Sequence, residues 1–454
     1  MRQSTSPISC SPSPTSFCEA FQQLLSGLLL TQLWSQHGPK PRGQQPKLSG
    51  PQLVCGLVFH VLSGVGRLAT HMQQVTGIRI SDSALWQRRA AAGWEVFDRI
   101  VRAALRPLAC VADQPLAFYC GLRRVGMDGS QFSVSNTPQL LGRLTKAAPR
   151  RFRAAFAKVP VSLLVELGTH HPLAVAVGVR QESEWELSHR LLAQLQSGWL
   201  VLADRLYGVG AFVNELLIAT QSVGSHFLVR VRSNLQVKVG EVLRDGSARV
   251  RVALRDSNNR KLGTIVVREI QGRVRRPNGK WVSVRLWTSL LDASAHPAAE
   301  LLALYARRWE IELFNRELKI DLRNTALLQS HTLESAAQEI LALVLAMAVL
   351  SQQRVRAAAL GGVEPLRMSF GQTLALVRSL WWMLAAAEGL LAPTQIEALV
   401  ERTIALIAAQ ALPKRRARSC PRAVRRPIGS WPRLHINSYQ NGPSEYELVP
   451  TPTV

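Results

Sequence analysis

The spacing of apolar residues changes character twice along the chain. From Phe17 to about Ala117 they fall in helical clusters, among them "FQQLLSGLLL" and "LVCGLVFHVL". The stretch "ISDSALWQRRAAAGWEVFDRIV" opens on Ser81 or Asp82, side chains suited to capping a helix, and continues with amphipathic spacing. Helix, the short glycine-containing turn "TGIRIS", and helix again would suit a DNA-reading helix-turn-helix, an order that ordinary helical bundles share. Ahead of all this, residues 1 to about 16 are Ser/Pro-rich, read as disordered, and lack the charged and apolar blocks of a signal peptide.

Near Phe118 the period shortens to two. "FYCGLRRVGMDGSQFSV" alternates as a strand does, "VSLLVEL" and "LAVAVGV" are β-rich, and "THHP" between them reads as a hairpin turn. A polar helix is expected over Glu184–Gln196, and "GWLVLAD" follows as a short apolar strand without alternation. A strand of that kind is buried on both faces, as in the middle of an α/β sheet. Residues 208–222 return to a helical pattern. From 223 to about 296 several segments alternate again, and "RRPNGKW" offers an Asn-Gly turn between two of them. Ala-rich helices then run to about Ala411. The longest apolar run, Ile340 to Leu350, is too short to cross a bilayer and reads as a buried helix.

Charge narrows the choice of partner. Lys and Arg number 55 against 30 Asp and Glu, a formal net charge of +25. An excess of that size favours a polyanion, most often nucleic acid. Two stretches concentrate it. "GRLTKAAPRRFRAAFAK" (Gly142–Lys158) has six basic residues and no acidic one, interleaved with Phe152 and Phe156. The tail "LPKRRARSCPRAVRRPIGSWPR" has eight and again no acidic residue. Either could follow a phosphate backbone or stay a solvated loop, and neither carries base information. The six cysteines (Cys10, Cys18, Cys55, Cys110, Cys120 and Cys420) have no metal-ligand spacing and are expected to be reduced thiols.

Acidic residues are scarce, so their positions matter. Asp204 ends the apolar strand "WLVLA", at the carboxyl edge where open α/β sheets gather their active sites. Asp128 lies on the first strand of the same unit, before Gly129. Glu312 falls in "YARRWEIELFNRELK" (Tyr305–Lys319). At about 100° per residue, one helix would put Tyr305, Arg308, Glu312 and Lys319 within roughly 60° of one another, with Glu310 and Glu317 about 120–140° from Tyr305. Three carboxylates brought together would repel unless divalent cations neutralised them, and oxygen-only ligands favour Mg²⁺ or Mn²⁺. Each residue also has a plainer reading. Asp128 could be a turn residue, Asp204 a strand-end ion pair or helix cap, and the stripe a solvated face laced with i,i+4 pairs.

These motifs resemble the DDE transposases of bacterial insertion sequences, specifically insertion-sequence family four. That family's signature of Tyr, two residues, Arg, three residues, Glu, six residues, Lys is met at Tyr305, Arg308, Glu312 and Lys319. "GMDGS" is similar to its first Asp motif and "LVLADRLYG" to its second, which assigns Asp128 and Asp204. The resemblance implies an α/β fold with a ribonuclease-H-like catalytic core, interrupted by a β-rich insertion and flanked by helical regions. On that reading residues 17–117 are a helical DNA-binding domain, and 118–222 and 297–355 are the two parts of the core. The insertion is 223–296, with a helical region at 356–411 and a basic tail at 412–454. It further implies that Asp128, Asp204 and Glu312 are catalytic and hold two Mg²⁺ or Mn²⁺ ions, while Tyr305, Arg308 and Lys319 hold DNA phosphates. The partners are double-stranded DNA and a second copy of the chain, in the cytoplasm, with no membrane. Trp281 and Trp287 are read as strand-packing aromatics. A DNA-binding protein without catalysis, and a nuclease without strand transfer, remain as alternatives.

Overall fold

The structure, a computed structural model, describes residues 30–413 and 433–435, apart from 41–42, 44–45, 145, 147–151, 181, 256–257, 259, 276–280, 324 and 388. The Ser/Pro-rich start, the Asn-Gly turn, much of the Gly142–Lys158 loop and most of the basic tail lie outside the described residues.

The chain opens with helices α1 (Leu30–His37), α2 (Gly50–Ser63), α3 (Leu68–Thr76), α4 (Asp82–Ala92) and α5 (Glu95–Ala104). Their ends follow local chemistry. Ser49 and Gln52 form a reciprocal capping box at the start of α2, and Ser81 caps α4 by accepting the Ala84 amide. The turn of "TGIRIS" is made at Gly77, whose φ of 69° is left-handed backbone that glycine adopts without strain.

A mixed sheet begins with β1 (Leu122–Ser133), β2 (Lys158–Glu166) and β3 (His171–Val177). After helix α6 (Glu184–Leu192) come β4 (Trp199–Ala203), helix α7 (Gly210–Ser222) and β5 (His226–Arg230). Four further strands follow: β6 (Lys238–Val242), β7 (Ala248–Arg255), β8 (Lys261–Arg275) and β9 (Trp281–Thr288). The order across the sheet is β3-β2-β1-β4-β5-β9-β8-β7-β6, with the two-residue strand Phe118–Tyr119 added beside β1. β1 is antiparallel to β2 and parallel to β4, and β5 is parallel to β4. "HFLVR", read from sequence as the start of the β-rich block, is therefore a parallel neighbour of β4. Periodicity alone could not reveal this, because pairing with β4 depends on the intervening helix α7 crossing over the sheet.

The last part holds α8 (Ala298–Tyr305), α9 (Trp309–Arg316), α10 (Leu333–Leu360), α11 (Phe370–Ala386) and α12 (Pro393–Ala408). Helix α10 is longer than the run Ile340–Leu350 suggested. It is long and apolar enough to cross a membrane, yet 94% of its apolar window is buried inside the protein. The sheet separates two cores, and alternation sorts residues between them. Trp199, Val201 and Ala203 of β4 join Leu187, Leu191, Phe212 and Leu216 on the α6–α7 face. Leu200 and Leu202 join Ile311, Phe314 and the α10 residues on the other. This is the two-sided burial expected of "WLVLA".

Candidate active site

Register puts the two aspartates side by side. Met127 of β1 pairs with Ala203 of β4, so Asp128 and Asp204 come next, at the point where β4 stops and β1 continues. Val125, Met127 and Ala203 point into the α6–α7 core, so by alternation the aspartates face α9. Asp128 therefore lies within a strand, which removes its reading as a turn residue. Helix α9 can approach closely because of Gly126: a Cβ there would lie 3.0 Å from Ile311 and 2.7 Å from Leu167.

The helix delivers polar groups to the same place. Asn315 Nδ2 donates to Asp128 Oδ2 at 3.1 Å. It lies three residues beyond Glu312 and so shares its face, a member of the site that the sequence reading missed although its spacing was visible. Arg308 donates to Glu312 Oε1 at 2.8 Å, which realises the plain i,i+4 pairing, while its charge also acts on Asp128. Asp204 Oδ1 accepts the Leu206 amide at 2.7 Å, so it does stabilise the turn after its strand. Burial drives the Asp128 carboxyl up to about 7, resisted by Arg308 and aided by the negative charges of Glu184 and Asp204.

The expected stripe needs two corrections. First, it is not one α-helix: residues Ala306–Arg308 form a 3₁₀ turn, α9 ends at Arg316, and Glu317–Leu322 is a π-helical segment. The 100° projection fails beyond Arg316, yet Lys319 still stands near Asp128. Burial and the charges of Arg323 and Lys158 lower its pKa, and Asp128 opposes them. Second, the Tyr305 hydroxyl donates to the Ala203 carbonyl at 3.1 Å. Its single proton is thus already given, leaving none for a phosphate in this arrangement. Tyr305 instead pins the end of β4, and burial raises its hydroxyl to about 12.

Glu310 and Glu317 do face elsewhere. Both meet His170, at 3.2 and 2.8 Å, and Glu317 also pairs with Arg354. Trp287 is fully buried and donates to Glu269 at 2.8 Å, as a packing aromatic should; the side chain of Trp281 lies outside the described residues. A cavity of about 350 Å³ is lined by Arg205, the residue after Asp204, with Arg230, Arg273 and Arg285.

As a donor set the carboxylates fit a hard divalent cation, being oxygen-only, with Arg308 and Lys319 offsetting only part of their charge. The convergence is partial. Among the described residues no three His, Cys, Asp or Glu side chains stand ready to hold one ion. Glu312 is instead turned to Arg308, and one Asp204 oxygen is engaged by the Leu206 amide.

Comparison with known proteins bears on the family of the chain. Residues 128–349, which begin at Asp128 and include Asp204 and Glu312, match the family model described as the transposase DDE domain. The chain is 27% identical over 349 residues to the transposase InsG for insertion sequence element IS4 of Escherichia coli (strain K12), covering 76% of this chain and 77% of that one. Together these matches support a DDE transposase of insertion sequences, of family four. A more distant likeness, with a TM-score of 0.42 and 9% identity over 91% of this chain and 89% of the other, is to piggyBac transposase in a synaptic complex with hairpin DNA.

Proposed function

We propose that this transposase binds the ends of its insertion element, cleaves phosphodiester bonds there and joins the freed 3′ ends to target DNA. The observation that carries the reading is the in-register pair Asp128 and Asp204 facing the helix that bears Glu312. The run β3-β2-β1-β4-β5, with β1 central between an antiparallel and a parallel neighbour, supports a ribonuclease-H-like core.

Asp128, Asp204 and Glu312 would hold Mg²⁺ or Mn²⁺, two ions on the present reading. Such ions lower the pKa of an attacking water or hydroxyl and stabilise the leaving oxygen. The protein's own groups do the rest. Arg308 and Lys319 attract and place a phosphate beside the carboxylates, and the arginine-lined cavity that includes Arg205 extends that basic surface. Asn315 fixes the orientation of Asp128, and Tyr305 fixes the end of β4. The turn between α3 and α4, with Ser81, Ser83 and Trp86 exposed, is assigned to end recognition. Joining two ends at one target requires two such sites, hence a dimer on DNA in the bacterial cytoplasm.

A plasmid carrying both element ends, incubated with protein and Mg²⁺ or Mn²⁺, tests this. Nicked and joined products that vanish in Asp128→Asn, Asp204→Asn and Glu312→Gln are expected. Binding without cleavage in the unaltered protein would leave a DNA-binding protein only. Cleavage without joined products would leave a nuclease.

A further inference from the structure

We infer that Glu184 is a positioning residue of this site, tying together the two backbone segments that carry Asp128 and Asp204. The inference rests on the assignment of those aspartates given above.

Glu184 is the first residue of α6, on the opposite face of the sheet from α9. A glutamate in a first helical turn ordinarily projects into solvent, where the helix dipole favours it. This one turns to the sheet instead. Its carboxyl group lies over Gly129, where a Cβ would come within 1.9 Å of Glu184 Cδ, so the glycine after Asp128 makes the space that the carboxylate fills. From the other side the Tyr207 hydroxyl donates to Oε1 at 2.9 Å. Tyr207 is fully buried, and its amide donates to the Asp204 carbonyl at 3.3 Å, which fixes it to the turn that follows β4. Ser188 and Ser162, with hydroxyl oxygens 2.8 Å apart, close the space behind, Ser188 lying 3.2 Å from the tyrosine oxygen.

Two motif residues with no role so far, the Gly of "MDGS" and the Tyr of "LADRLYG", thus converge on one carboxylate. Among the described residues no cation pairs with Glu184, so it is not the partner of a structural ion pair. Placed near Asp128 and Asp204 it adds repulsion, a cost that the Tyr207 hydrogen bond offsets while the carboxylate, packed over Gly129, holds both segments in register.

The test measures the Mn²⁺ concentration that half-saturates the thermal shift of the full-length protein, alongside cleavage of end DNA. Glu184→Gln removes the negative charge and puts an amide nitrogen, which cannot accept, at one of the two oxygen positions. Tyr207→Phe removes one donor, and Gly129→Ala must push the carboxylate aside. Each should raise the Mn²⁺ requirement by about 10–100-fold, the usual effect of losing a group that orients a ligand. Melting without Mn²⁺ should change little, and the double variant Glu184→Gln with Tyr207→Phe should be no worse than the more severe single one. Tyr207→Phe keeps shape and packing, so it remains informative if the others fold poorly. An unchanged Mn²⁺ requirement overturns the inference. So does a loss that merely follows melting temperature, or a Glu184→Gln defect as complete as that of Asp204→Asn, which would make Glu184 a ligand itself. Asp204→Asn serves as the separate control: an undiminished Mn²⁺ shift in that variant would defeat the carboxylate-pair reading instead.

Discussion

The helical run from Tyr305 to Leu322 has two acidic faces, and they are treated oppositely. On one, Glu310 and Glu317 close on His170, and Glu317 also meets Arg354; the side chains of His170 and Arg354 are 3% and 4% exposed. The cations there hold Glu317 below the usual carboxylate range in spite of burial. On the other face Asp128 stands near Asp204 and Glu184, and burial with their charges drives it up to about 7. The helical run thus borders one cluster whose carboxylates are paired with the protein's own cations, and another where Arg308 and Lys319 only partly offset the carboxylates, a surplus that a bound cation would relieve. Composition does not distinguish them, since both are carboxylates with arginine nearby. What separates them is how much of the compensating charge the protein itself supplies.

Substitution should break this contrast in opposite ways. The largest effect is expected for Asp204→Asn and Glu312→Gln, which should reduce end cleavage to background while melting as the unaltered protein does; gel assays with melting curves check both. On the balanced face Glu317→Ala should leave buried Arg354 without its carboxylate and buried His170 with Glu310 alone. A loss of about 3–5 kcal/mol in denaturant unfolding is expected, with any activity defect following from unfolding. Glu310→Gln, at the rim of the cluster, should be mild in both assays. The helical projection set both glutamates away from Tyr305 without distinguishing them. Burial and the shared His170 make Glu317 the exception.

The unbalanced face should also appear in stability against pH. The Asp128 carboxyl is raised from 3.8 to about 7, so between those values the native protein retains a proton that the unfolded chain has released. Stability without metal therefore falls as pH rises through that window. Asp128→Asn should remove the part of the decline that belongs to this group, and added Mn²⁺ should diminish it in the unaltered protein. Melting curves at pH 4 to 8, with and without the ion, give the comparison. Parallel curves for Asp128→Asn and the unaltered protein would mean that the carboxyl carries no such strain.

The smallest effect concerns the cations. Arg308→Ala and Lys319→Ala should each weaken binding to end DNA and lower the slope of log affinity against log salt by about 0.9. Arg308 is also paired with Glu312 and is only 15% exposed in its side chain, so some stability should go with it. Lys319→Ala is the cleaner test. An unchanged slope in both would return these residues to supporting the helix.

Much of this was legible in sequence because it is local. The apolar strand before Asp204, the cap at Ser81 and the spacing from Tyr305 to Lys319 follow from neighbours along the chain. What escaped depends on contacts between distant segments. β5 joins β4 only after α7 crosses the sheet, and Tyr305 spends its proton on Ala203, which is 102 positions away. The π turn at Glu317–Leu322 has no periodic signature, so a projection that assumed one helix could place Lys319 near the site only by approximation. Glu184 was hidden for the same reason: nothing in "ESEWELSHR" says that its carboxylate will lie over Gly129.

The central claim is that Asp128, Asp204 and Glu312 share divalent ions at one site. Crystals of the protein with its end DNA and Mn²⁺, measured for anomalous scattering, test it most directly. The account predicts strong peaks between the carboxylates of Asp128 and Asp204, with Glu312 released from Arg308 to complete the set and the end phosphate beside Lys319. Peaks seated elsewhere, or none at these carboxylates with the DNA bound in place, would contradict it.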